Sequence, residues 1–78
     1  MQQSLTIDTR GMSCPLPVLK VRKIMRTISA GEEVLVLATD PGAPDDLRAY
    51  CAASGCKFLS SGEPIPGQFA IRIQKIAV

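Results

Sequence analysis

The stretch Gly11-Met12-Ser13-Cys14-Pro15-Leu16-Pro17 constrains this chain more than any other, because a cysteine is followed by two closely spaced prolines. Proline is favoured at the first position of a helix, and it pushes the residue before it out of the helical region. The pattern therefore predicts a helix that begins at Pro15. It makes Cys14 the N-cap and Pro17 the third helical residue.

The thiol of Cys14 is the candidate reactive group. A free cysteine ionises near about pH 8.5, and a helix N-terminus can lower that pKa by a unit or more. The amides of Leu16 and Val18, together with the helix dipole, are predicted to favour a thiolate at Cys14. Free cysteines are also among the most buried residues, so Cys14 could instead be a small apolar residue at a strand-to-helix turn.

The motif resembles that of the TusA/SirA family of small sulfur carrier proteins. The resemblance rests on Asp8, Gly11 and the Cys-Pro-x-Pro motif at residues 14–17, followed by a basic amphipathic helix. It extends over nearly the whole chain, through matches at Val21-Arg22-Lys23, Asp40-Pro41 and Cys51. It implies that Cys14 carries a persulfide. The residues expected to support it are Gly11, Pro15, Leu16, Pro17 and Val18.

Composition narrows the possible classes of protein. A chain of 78 residues with 46% hydrophobic content fits one globular domain, residues 1–78. The net charge of +2 is too small to imply nucleic-acid binding by itself. The chain has no histidine, and its three cysteines match no zinc pattern, so we expect no metal and no cofactor.

The odd number of cysteines predicts reduced thiols in a cytoplasmic protein rather than a disulfide framework. The chain begins with polar residues, and its longest apolar run is residues 34–38. We therefore expect neither export nor a membrane span.

Hydrophobic periodicity predicts the order β-α-β-α-β-β. The predicted strands are residues 5–8, 34–38, 57–61 and 68–76, and the predicted helices are residues 15–29 and 44–54. The strand-helix-strand units imply parallel strands, and the final hairpin is expected to add an antiparallel edge. The predicted fold is an α/β (α+β) two-layer sandwich, a mixed four-stranded sheet with two helices on one face.

The first helix has an apolar side and a basic side. Its core-facing residues at helical spacing are Val18, Val21, Ile24, Met25 and Ile28. Leu16 and Leu19 project among the cations instead. The predicted partner-binding residues are Leu19, Lys20, Arg22, Lys23 and Arg26, although a charged helix face can also be ordinary solvated surface.

Other residues admit more than one interpretation. Asp8 is the nearest carboxylate to the thiol in sequence and could orient Arg10, or it could be a solvated strand end. Asp40 could contact a partner, but turn chemistry alone explains Asp-Pro-Gly. Cys51 is interpreted as core packing in preference to a resolving thiol, and Cys56 is expected to be more exposed.

The leading functional hypothesis is a sulfur carrier that works with partner sulfurtransferases rather than as a stand-alone enzyme. A cysteine desulfurase or rhodanese-type donor would load Cys14. A downstream acceptor would serve tRNA thiolation, sulfur oxidation or molybdenum-cofactor formation. One alternative is a nucleic-acid-binding or regulatory module using the basic helix, although direct nucleic-acid binding is not expected. The other is a thiol-redox protein that pairs Cys14 with Cys51 or Cys56.

Overall fold

The computed structural model describes residues 4–76. Its elements in chain order are β1 (Ser4–Thr9), α1 (Leu16–Met25), β2 (Glu33–Ala38), α2 (Ala43–Ser54), β3 (Lys57–Ile65) and β4 (Gln68–Gln74). The predicted order β-α-β-α-β-β is confirmed.

The four strands form one mixed sheet in the order β1-β2-β4-β3. β1 and β2 are parallel, and β4 is antiparallel to both β2 and β3. The expectation that the hairpin adds its antiparallel strand at the edge is wrong, because β4 lies inside the sheet. Ile71 and Ile73 of β4 are fully buried. β3 contains Gly62 and Pro64, which an edge strand tolerates.

One hydrophobic core joins the helices to the sheet. Its large buried residues are Val21, Met25, Leu47 and Cys51 on the helices and Ile7, Val34, Val36, Ile71 and Ile73 on the strands. Burying each aliphatic side chain contributes about 1.5–3 kcal/mol. The two-layer sandwich with both helices on one sheet face is therefore confirmed.

The first helix is shorter than its hydrophobic pattern suggests. α1 ends at Met25 and not near Ser29. The backbone N–H and the hydroxyl of Thr27 both donate to the Ile24 carbonyl, at 2.9 and 2.7 Å. These bonds close a tight turn in place of a further helical turn. The predicted helix end at residue 29 is therefore wrong.

The second helix agrees with prediction. Asp45 and Asp46 lie in its first turn, where acidic groups complement the helix dipole. Gly55 ends it in the left-handed region, with φ of 84°, and its N–H donates to the Cys51 carbonyl at 2.9 Å. That reversal turns the chain back toward the last turn of α2.

The hairpin differs from prediction in its boundaries. β3 continues to Ile65 through a segment predicted to be a loop, and the turn is confined to Pro66 and Gly67. β4 ends at Gln74 rather than near Ile76.

Within residues 4–76, neither helix has the length and apolar content that a membrane crossing requires.

Candidate functional site

Cys14 lies in the turn immediately before α1. The predicted assignment of Cys14 as N-cap is wrong, because Pro15 takes that position with φ of −99° and ψ of 15°. Leu16 is then the first helical residue, and Pro17 is the second rather than the third. The Cys14–Pro15 peptide bond is cis. The prolines do mark the helix start, but one residue later than the pattern indicates.

The loop that carries Cys14 is bonded to the turn after β2. The N–H of Cys14 donates to Asp40 Oδ2 at 2.8 Å, and the N–H of Gly11 donates to Thr39 Oγ1 at 2.9 Å. Gly11 has φ of 83°, a conformation that other residues rarely adopt. Asp40 Oδ1 also accepts the N–H of Gly42 at 3.2 Å. Asp40 therefore shapes its own turn and holds the cysteine loop.

The thiol of Cys14 faces two carboxylates. One ligand atom each of Cys14, Asp40 and Asp46 lies within 4.8 Å of the other two. Hydrogen bonding to Asp46 raises the pKa of the Cys14 thiol, and burial and the negative charges of both aspartates act in the same direction. The expected lowering of the pKa by the helix start is therefore wrong. The amide of Leu16 is also engaged, since it donates to the Ser13 carbonyl at 2.9 Å.

These three side chains are close enough to contact one ion, but their chemistry is mixed. Thiolates select soft metals, whereas carboxylates suit magnesium, calcium and manganese. We assign no metal to this group.

The start of α1 combines buried and exposed residues. Pro17 is buried and Val18 is half-buried, so both anchor the helix. Leu16 and Leu19 are 53% and 49% exposed, which confirms that they project away from the core. Two exposed leucines thus follow the exposed cysteine, at the first helical position and three residues further along α1.

The cations on the basic side of α1 are not all available to a partner. Arg22, Lys23 and Arg26 are exposed. Lys20 is half-buried, and its Nζ donates to the Asp8 carbonyl at 2.8 Å. Lys20 therefore secures the end of β1 and is less available to a partner than predicted.

Asp8 does not contact the thiol. Its carboxylate pairs with Arg10 at 2.8 Å and also accepts the Arg10 backbone N–H. This pairing holds the pKa of Asp8 below its usual range. Of the two interpretations of Asp8, the one in which it orients Arg10 is confirmed.

The other two cysteines are bonded to each other. Cys51 is 3% exposed, which confirms its place in the core, and it forms a disulfide with half-buried Cys56. The predicted state of three reduced thiols is wrong, because Gly55 reverses the chain and brings the two Cα atoms to 4.6 Å. Cys14 is a free, exposed cysteine, so the predicted alternative in which it pairs with Cys51 or Cys56 is also wrong.

Asp46 was not predicted as a site residue. For Asp40, a partner contact and a purely structural turn were both left open. The signal was present in the topology, because loops that follow neighbouring parallel strands meet at one edge of a sheet. The loop after β1 carries Cys14, and the loop after β2 carries Asp40 and leads into Asp46.

The aromatic residues offer no stacking surface. The chain has one tyrosine, two phenylalanines and no tryptophan. Tyr50, Phe58 and Phe69 are all partly buried against the core. A nucleic-acid interface on the basic helix would therefore lack the rings that hold unpaired bases.

Comparison with known proteins gives one consistent result. Residues 5–75 match the family model described as sulfurtransferase TusA. The sulfur carrier protein TusA of Allochromatium vinosum is 36% identical over 69 residues, covering 88% of this chain and 90% of that protein. A Neisseria meningitidis protein described as a candidate sulfur carrier is 39% identical over 71 residues, covering 91% and 95%.

A solved structure shows the same fold. The crystal structure of the SirA-like protein from Desulfitobacterium hafniense superimposes with a TM-score of 0.82 at 26% identity. The match covers 94% of this chain and 99% of that one.

Proposed function

The chain belongs to the TusA sulfurtransferase family, and on that premise we propose that it is a sulfur carrier that holds sulfur on Cys14 as a persulfide and relays it to a downstream protein. The observation that carries the proposal is a free, exposed thiol in the turn before α1, followed by exposed Leu16 and Leu19 on that helix. A carrier must present its sulfur to two proteins in turn, so an accessible thiol flanked by apolar side chains suits that role.

The loading step needs no oxidant. Cys14 Sγ attacks the outer sulfur of a donor persulfide, a new S–S bond forms at Cys14, and the S–S bond of the donor breaks. The inner sulfur of the donor persulfide leaves as a thiolate and takes up the proton that Cys14 releases. Unloading repeats the exchange, with an acceptor thiolate attacking the outer sulfur on Cys14 and Cys14 as the leaving group.

Asp46 controls the proton in this scheme. Its carboxylate stabilises the protonated thiol and raises the pKa of Cys14. The free carrier is therefore held as a thiol, the less nucleophilic and less readily oxidised form. A partner that brings a cation to Asp40 and Asp46 would weaken this effect and release the thiolate only inside the complex.

The chemistry of the sulfur-transfer step indicates which classes of protein would act as partners. The donor is a cysteine desulfurase or a rhodanese-type protein, and the acceptor belongs to tRNA thiolation or another sulfur-trafficking route. The exposed cations Arg22, Lys23 and Arg26 would steer acidic partner surfaces, and Leu16 and Leu19 would be buried on docking. Residues 1–78 would act as one carrier domain in the cytoplasm.

Intact-mass analysis tests the proposal. The protein is incubated with a cysteine desulfurase and cysteine and then measured without reducing agent. A carrier gains the mass of one sulfur atom, and alkylation before digestion assigns that atom to Cys14. No gain of sulfur on Cys14 with any desulfurase or rhodanese tested would contradict the proposal.

A further inference from the structure

A second sulfur-containing region lies at the opposite end of α2 from Cys14. Cys14 approaches Asp46 in the first turn of α2, whereas Cys56 follows the glycine that ends the helix. The helix has 12 residues and so spans about 18 Å. The two sulfur-containing regions therefore lie about one helix length apart.

A cleft of about 270 Å³ opens beside Cys56. Its walls come from the last turn of α1, the end of α2 and the segment after β4, and they include Arg22, Arg26, Tyr50 and Lys75. This volume is near the lower end of the range of small-molecule sites, so the cleft suits a small ligand.

The cleft is positively charged. Arg22, Arg26 and Lys75 line it, and no acidic side chain is among its lining residues. Lys75 Nζ donates to the Ile28 carbonyl at 2.7 Å, which restricts the position of that ammonium. The C-terminal ends of α1 and α2 each contribute about half a negative charge. Three cations outweigh them, so the cleft attracts anions.

The disulfide presents one sulfur to this cleft. Cys56 is half-buried and lines it, whereas Cys51 is 3% exposed and belongs to the core. The Ser54 hydroxyl donates to Cys56 Sγ at 3.5 Å. A nucleophile in the cleft can therefore reach Cys56 and not Cys51.

We propose that the Cys51–Cys56 disulfide is a second sulfur-exchange site, opened at Cys56 by a small anionic sulfur nucleophile that binds in the cationic cleft. The nucleophile is hydrosulfide or a low-molecular-weight thiolate that carries an acidic group. This inference goes beyond the carrier proposal, because Cys14 takes no part in it.

The reaction balances without a further reagent, because the disulfide itself is the oxidant. The incoming sulfur forms a bond to Cys56 Sγ, the Cys51–Cys56 bond breaks, and Cys51 leaves as a thiolate that takes up one proton. A thiolate leaves a mixed disulfide on Cys56, and hydrosulfide leaves a persulfide there. Return attack by Cys51 on Cys56 closes the disulfide and releases the nucleophile.

The test uses the full chain with Cys14→Ser, oxidised at Cys51–Cys56. It is treated separately with mercaptoethanesulfonate, an anionic thiol, and cysteamine, a cationic thiol, at equal thiolate concentrations and low salt. We expect the anionic thiol to open the disulfide about tenfold faster, and the difference to shrink at high salt. Fragment masses after acid quenching should place the adduct on Cys56. Hydrosulfide should add the mass of one hydrogen sulfide, which separates that source from a thiol adduct.

Variants provide the second measurement. Arg26→Gln and Lys75→Gln should each reduce the advantage of the anionic thiol, with folding checked by circular dichroism. Arg72→Gln is the matched control, because Arg72 is exposed on β4 and does not line the cleft. Equal rates for the two thiols, an adduct on Cys51, or a disulfide that opens only on unfolding would overturn the proposal. Loading of Cys14 by a desulfurase is measured separately in Cys56→Ser protein, so either idea can fail without the other.

Discussion

The two ends of α2 place sulfur in opposite electrostatic surroundings. At the first turn, the exposed Cys14 thiol faces the carboxylates of Asp40 and Asp46. At the last turn, Cys56 is bonded to Cys51 and lies beside a cleft lined by cations. One helix thus separates a thiol whose pKa is raised by neighbouring carboxylates from a sulfur that lies beside cations.

The comparison shows that the accessibility of a sulfur and the charge around it determine which reactants can exchange with it. An exposed thiol with exposed leucines suits exchange with large partners, because apolar contacts hold a protein surface in place. A half-buried disulfide at a small cationic cleft suits exchange with small anions, because a protein cannot enter and a cation is repelled. Each end can be tested by changing its sulfur or its charge and leaving the other end intact.

The largest expected effect comes from removing one sulfur at a time. Cys14→Ser should abolish loading by a desulfurase, because no other free thiol is exposed among residues 4–76. Cys56→Ser should still load at Cys14. Both are measured by intact mass after equal incubation. Loading of the Cys14→Ser protein by the desulfurase at the parent rate would mean that the two ends are not functionally separate.

The next effect concerns the charge beside Cys14. Because Asp46 raises the pKa of Cys14, Asp46→Asn should move the midpoint of the pH profile of alkylation to lower pH and speed alkylation at neutral pH. Asp45→Asn is the matched control, since Asp45 is exposed in the same first turn of α2. Equal profiles for the two variants would mean that Asp46 does not set the state of the thiol.

Much of the fold could be predicted because its signals are local. Periodicity identified both helices and the strand over residues 34–38, and the second helix ends at Ser54 as predicted. The position of β4 could not be predicted in this way, because the order of strands depends on which surfaces bury together. α1 ended early because Thr27 bonds back to Ile24, a local contact that competes with the hydrophobic pattern.

Only part of the candidate site could be predicted from the sequence, for a related reason. Cys14 and the exposed leucines follow from spacing along one helix. Asp40 and Asp46 are 26 and 32 positions from Cys14 and approach it only after β1 and β2 pair. The Cys51–Cys56 bond likewise depends on the reversal at Gly55, which spacing alone does not specify.

A smaller effect is expected from the apolar contact near Cys14. Leu19 is 49% exposed, so burying the rest of it against a partner contributes about 1 kcal/mol. Leu19→Ala should then speed dissociation of the donor by about fivefold, with little dependence on salt. Leu5→Ala is the control, because Leu5 is 39% exposed but lies at the start of β1, away from the Cys14 loop. Equal dissociation rates for both variants in surface-binding measurements would exclude Leu19 from the interface.

A weaker effect should follow from a single exposed cation. Lys23→Glu should slow association with the donor by about threefold at low ionic strength and have little effect at high salt. Lys23 is exposed and does not line the cleft beside Cys56, so opening of the disulfide by an anionic thiol should change little. Lys57→Glu on β3 makes the same charge change away from α1. If Lys23→Glu associates at the same rate as the parent protein throughout the salt series, the basic face is ordinary solvated surface.

The smallest effect tests whether spatial or sequence proximity matters at Cys14. Asp8 is the nearest aspartate in sequence, yet its carboxylate pairs with Arg10 instead of the thiol. Asp8→Asn should therefore leave the pH profile of Cys14 alkylation unchanged, in contrast to Asp46→Asn. The pairing lowers the pKa of Asp8, so its small stabilising contribution is present at neutral pH and is lost as the pH falls below about 4. Thermal unfolding should show a slight loss of stability for Asp8→Asn at pH 7 that disappears in strong acid. A shifted alkylation midpoint in Asp8→Asn would mean that charge anywhere near the turn acts on the thiol, and the specific role of Asp46 would then be lost.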